Sequence, residues 1–116
     1  MSNIGVGERT AYNNQVRPKF RRVDNEDVTL GVHDQVVIVD SETSVSTITL
    51  PNVGEAAGKI FTITASAGDT NTVTIEDNAD ESGFADEDII GDGGQRVLYS
   101  DGLHWHILSS VVGATT

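Results

Sequence analysis

The sequence predicts an all-β fold, and three observations carry that expectation. Val, Ile and Thr together supply 35 of the 116 residues, against 5 Leu. β-Branched side chains lose rotamer freedom in a helix and fit a pleated surface. Twelve glycines cut the chain into short stretches, and glycine weakens a helix interior. Several of those stretches alternate apolar and polar residues with the period of two that turns one strand face inward.

The elements follow in order. Val28-Thr29-Leu30 opens the body. Gln35–Val39 is apolar on both faces through Val36-Val37-Ile38-Val39, which predicts an inner strand. Asp40–Ser44 is small and polar, a turn. Val45–Leu50 alternates, with Ile48 and Leu50 on one face, and Pro51 ends it by removing a ladder donor. Glu55-Ala56-Ala57 fits one helical turn closed by Gly58. Lys59–Ala65 and Thr72–Glu76 are strands that turn Phe61, Ile63, Val73 and Ile75 inward. Gln95–Ser100 and Leu103–Ser109 flank Asp101-Gly102, a hairpin signal because a two-residue I′ turn needs positive φ at both positions. In the last strand Leu103, Trp105 and Ile107 share one face, His104 and His106 the other.

Charge divides the chain differently. The whole carries 7 basic and 18 acidic residues, a net charge of -11. Residues 1–22 hold five cations (Arg9, Arg17, Lys19, Arg21 and Arg22) against Glu8, whereas residues 23–116 hold Lys59 and Arg96 against 17 acids. Such asymmetry predicts a basic segment whose task differs from the body's. The expected organisation is an extended basic arm over 1–27, a body over 28–110 and a tail over 111–116. Fully stretched, the arm reaches ~90 Å. Arg9, Arg17, Lys19, Phe20, Arg21 and Arg22 are its candidate partner-binding residues, since an aromatic among cations supplies buried area at low entropic cost.

The same arithmetic excludes function classes. A net charge of -11 argues against simple nucleic-acid binding, because phosphate contact needs positive surface. No apolar run has the ~18 residues of a membrane span and no signal-peptide pattern opens the chain. Without cysteine, disulfides and thiolate metal sites are excluded. Gly5-Val6-Gly7-Glu8-Arg9-Thr10 lacks the last glycine and the preceding strand of a dinucleotide loop. No G-x-S-x-G nucleophile elbow is present. The expectation is a protein that is not an enzyme and holds no cofactor.

Two groups are weak candidates for a metal. His104 and His106 lie about 7 Å apart along one strand, with no third ligand nearby in sequence. Residues 76–92 hold eight acids and no cation, Asp77 and Asp80 among them. Their oxygens suit Ca²⁺, but their spacing does not fit the EF-hand loop. The plain alternative for both is solvated surface. His33, alone in a turn-like segment, is read as incidental. Tyr12, Phe84, Tyr99 and Trp105 are the aromatics a sugar site would need, with Trp105 expected in the core.

From Gln35 to Ser109 the order of motifs resembles a module common in tailed-virus structural proteins. It runs Val36–Asp40, Ile48-Thr49-Leu50-Pro51, Gly58-Lys59-Ile60-Phe61-Thr62-Ile63, Asn71-Thr72-Val73-Thr74-Ile75, Ile89-Ile90-Gly91-Asp92-Gly93 and Ser100-Asp101-Gly102-Leu103-His104-Trp105-His106-Ile107. The resemblance implies a small antiparallel β-sandwich-like body, a homotrimer, and no catalytic residues. It further implies a capsid decoration (cement) protein on the outer surface of the virion, bound to the major capsid protein. The alternative it leaves is a tail-fibre, baseplate or spike component that binds host surface or other tail proteins. Trimerisation would cover exposed strand edges and support a small core. The acidity of the body fits work at high salt, as in a virus of a salt-loving host, because salt screens the self-repulsion of like charges.

Overall fold

The computed structural model describes residues 20–66, 71–78, 84, 88–90 and 93–111. Among them the fold is all-β. The strands are β1 (Arg21–Asp24), β2 (Val28–Thr29), β3 (Val36–Asp40), β4 (Ser46–Thr49), β5 (Ile60–Ala65), β6 (Val73–Glu76), β7 (Asp88–Ile90), β8 (Gln95–Ser100) and β9 (Trp105–Val111). They form two sheets, one in the order β1-β3-β5-β8-β9 and one in the order β2-β4-β6-β7.

The path corrects the expected antiparallel arrangement. β1, β3 and β5 are parallel neighbours, and so are β2, β4 and β6. Among the described residues the antiparallel pairs are β5–β8, β6–β7 and β8–β9. The chain does not turn back after β1. It crosses to the other sheet, runs through β2, and returns to lay β3 beside β1. Each full circuit therefore adds one parallel strand to each sheet, as in a short β-coil, and the β8–β9 hairpin closes the stack. A polar turn between two strands reads alike whether it makes a hairpin within one sheet or a corner between two.

Register stacks like side chains in columns. Val23, Val39 and Ala65 lie in line across β1, β3 and β5. Val28, Ile48 and Ile75 do so across β2, β4 and β6. The inward residues of every long strand close the core, with Val37, Ile48, Phe61, Ile63, Val73, Ile75 and Leu98 at 0% exposure. Trp105 sits edge-on to Phe61 at 5.5 Å between ring centres. The inward faces expected for Ile48 and Leu50, Phe61 and Ile63, and Val73 and Ile75 are all buried.

Three further expectations are corrected. Arg21–Asp24, expected in the arm, is a strand of the five-stranded sheet; Val23 supplies a wholly buried core side chain there. Val111, assigned to the tail, is the last residue of β9. The β8–β9 connection spans four residues, Asp101–His104, because the Asp101 Oδ1 accepts the N–H groups of both Leu103 and His104 at 2.7 Å. Of the Asp-Gly pair only Gly102 takes positive φ, at 95°. The expected turn at Glu55-Ala56-Ala57 is a single one, with the Ala56 N–H donated to the Asn52 carbonyl at 3.0 Å.

The corners are held by asparagine. Asn25 adopts φ 54°, a left-handed conformation that asparagine tolerates better than other non-glycine residues. Its Oδ1 accepts the N–H of Thr43 at 2.8 Å and of Ser44 at 3.3 Å, on the next corner of the coil. From the following circuit the Asn71 Nδ2 donates to the carbonyls of Ser41 and Glu42, and the Ser41 Oγ donates to the Asn71 carbonyl.

Candidate functional site

The expected arm residues are reached only where the chain enters the sheet. Arg9, Arg17 and Lys19 lie outside the described residues. Phe20 directly precedes β1 and is 56% exposed, an apolar ring facing solvent beside two cations. Those two are already engaged. The Arg21 guanidinium lies 3.0 Å from the Asp34 carboxylate. The Arg22 guanidinium bridges Asp24 at 3.1 Å and Asp40 at 3.3 Å. Parallel pairing sets Asp24 beside Asp40, and Arg22 separates these like charges. The Arg21–Asp34 pair is part-buried and the Arg22 pairs are exposed; exposed pairs contribute little to stability.

The histidine candidates do not come together as a metal set. No group of three or more His, Asp or Glu is placed to hold a cation among the described residues. His104 is an exposed turn residue. His106 lies on β9, with its Nε2 2.8 Å from the Asp101 Oδ2 and its ring 6.4 Å from that of Tyr99. Hydrogen bonding from His106, then from the His104 and Leu103 amides, holds the Asp101 carboxyl far below the usual carboxylate range. Asp77 is buried at 5% exposure, and Asp80 lies outside the described residues. His33 is an exposed turn residue. Phe84 and Trp105 are buried, at 8% and 6%, and Tyr99 is partly buried; Tyr12 lies outside the described residues.

What the sequence reading missed is the surface around β9. Past Trp105 every residue of the strand is exposed, on both faces. Ile107 is 47% exposed, Leu108 55% and Val111 49%, and Leu103 in the preceding turn is 72% exposed. The ladder slips between Val97 and Leu98 so that Leu108 bulges out of the pairing. The signal in the sequence is Ile107-Leu108, two adjacent apolar residues in an otherwise alternating strand. Alternation sends one to each face, so a strand covered on one side only cannot bury both.

No protein-family model matches this chain, nor does any curated protein or solved structure.

Proposed function

We propose that this chain is a virion decoration protein: a trimer seated on the outer surface of a capsid shell and attached to the major capsid protein through its basic N-terminal segment. The observation that carries this reading is the separation of charge. Three of the chain's seven cations, Arg9, Arg17 and Lys19, fall before the first strand against the single acid Glu8, whereas residues 21–116 hold 17 acids and four cations. Phe20, exposed at the entry to β1, extends the attachment surface with apolar area. The motif order from Gln35 to Ser109 supports a structural, non-enzymatic role of the same kind.

The physical action is linkage. Contacts that span neighbouring coat subunits exist only while the shell is intact. Occupying them stabilises that state by RT ln(1 + [L]/Kd), roughly 2.7 kcal/mol when the free protein stands at a hundred times its Kd. The arm gives reach and the body gives bulk on the outside of the shell.

Removing residues 1–19 tests the reading, because β1 begins at Arg21 and every described strand and core residue lies beyond the cut. The truncated chain is expected to keep the near-UV signal of Trp105 and to lose co-sedimentation with capsid shells stripped of the protein. Full binding by the truncated chain overturns the role of the arm. Binding of the full chain to isolated tails, with none to shells, assigns it to the tail instead.

A further inference from the structure

We propose that β9 and the outer face of the five-stranded sheet are covered by a second copy of this chain. The inference rests on the trimeric reading above and gives it a surface.

Sheet edges carry the first argument. An exposed edge invites pairing with another chain, and proteins blunt such edges with charge or by keeping them short. Three of the four edges here are blunted. β1 has charge on three of its four residues (Arg21, Arg22 and Asp24), β2 has two residues, and β7 has three. β9 has seven residues with no Asp, Glu, Lys, Arg or Pro. Its outer edge is unpaired among the described residues, and its apolar Ile107, Leu108 and Val111 stand in solvent.

The second argument is the face beside that edge. Register and alternation place Ile60, Thr62 and Thr64 of β5 outward, alongside Tyr99, Val97 and Gln95 of β8. Val36 and Ile38 of β3 continue the rows. Val36 is 39% and Ile60 46% exposed. Across these strands the outward positions hold no charged residue until Asp40, Arg22 and Asp24 at the β1 side. Asp101, at the rim, is occupied by His106 at 2.8 Å.

Charge then selects the occupant. In a chain of net charge -11 an unlike-charged partner is drawn to the acidic surfaces. Two copies of the same anion repel everywhere except where neither presents charge. A face free of charge beside a bare apolar edge is the part of this molecule that a like-charged copy can approach. Four strands of about six residues span roughly 20 Å by 20 Å, on the order of 400 Å², below the ~800 Å² per partner of a standard interface. The face alone is too small, so the interface must extend over the β9 edge with its exposed Leu103 and Leu108.

The test is the solution mass of the full chain by sedimentation equilibrium, in 0.15 M and 2 M NaCl. An oligomer is expected, more complete at high salt. Ile107→Asp is expected to weaken self-association at least tenfold. Should that variant lose the Trp105 near-UV signal, because Ile107 stands opposite buried Leu98, Leu108→Asp at the edge and Ile60→Asp on the outer face test the interface at residues 55% and 46% exposed. Val45→Asp, equally exposed at 59% but outside this surface, is expected to leave the mass unchanged. A chain monomeric at all concentrations in both salts overturns the inference. So does an oligomer whose mass none of the three surface variants lowers, or one that Val45→Asp disrupts equally. Shell binding is scored separately: a monomer that still binds shells leaves the decoration reading standing, and an oligomer that binds none leaves the interface standing.

Discussion

Asn25 shows how much one side chain does at a corner of the coil. It accepts a left-handed backbone at φ 54° and fastens two amides of the neighbouring corner, Thr43 and Ser44. The Ser44 hydroxyl answers by donating to the Asn25 carbonyl at 3.1 Å. Asn25→Ala loses both amide bonds and puts a Cβ-bearing residue with no local hydrogen bond into the left-handed region. The expected cost is about 1–3 kcal/mol, read as a lower urea midpoint with an unchanged slope. Asn25→Gly removes the backbone strain and keeps the loss of hydrogen bonds, so it should fall between the two. A drop no larger than that of an exposed Glu26→Ala control would show that the corner is held by other means. Asparagine in a turn is easy to notice in a sequence. Its partner, eighteen residues away on the next circuit, is not.

At the scale of the element, the β8–β9 hairpin is tied by Asp101. The carboxylate accepts the Leu103 and His104 amides and pairs with His106 across the hairpin mouth. Its folded-state pKa is depressed. A depressed carboxylate contributes stability that is full above the unfolded pKa of ~4 and is lost as pH falls toward the folded value. Asp101→Asn keeps an acceptor for the two amides but not the charge. The variant is therefore expected to be less stable than the parent at pH 7 and to approach it by pH 2, in urea midpoints taken at both. An equal gap at both values would mean that the charge contributes nothing.

The other elements were legible to different degrees. Strand positions and inward faces followed from alternation, as at Ile48, Phe61 and Val73. β7 (Asp88–Ile90) is not legible as a strand, because three residues are too few to show a period. A near-repeat carries the coil: Val23-Asp24-Asn25-Glu26 with Thr29-Leu30, then Val39-Asp40-Ser41-Glu42 with Thr49-Leu50. It marks equal places on two successive circuits, disguised because the second corner is four residues longer. Leu30 and Leu50 confirm the equivalence, each donating its N–H to the next circuit, to Thr49 and Glu76, at 2.8 Å.

For the whole molecule the dominant quantity is charge. From β1 onward the chain holds 17 acids and four cations, so it repels itself when folded, and added salt screens that repulsion. The melting temperature is expected to rise by ~5 °C or more between 0.05 M and 2 M NaCl, since about 1 kcal/mol moves a domain of this size by several degrees. A flat or falling profile removes the high-salt reading.

The sequence by itself determined the all-β class, most strand faces, the uneven distribution of charge and the candidates on the basic segment. These are local or additive properties: propensity, a period of two, a sum of charges. Only the tertiary structure decided that the strands run parallel around a coil and that Arg21 and Arg22 answer to Asp34, Asp24 and Asp40. It also decided that, among the described residues, β9 stands uncovered beside a face without charged side chains. Each depends on which distant segments lie side by side. Strand direction and edge exposure are relations between segments, and no window along the chain contains both partners.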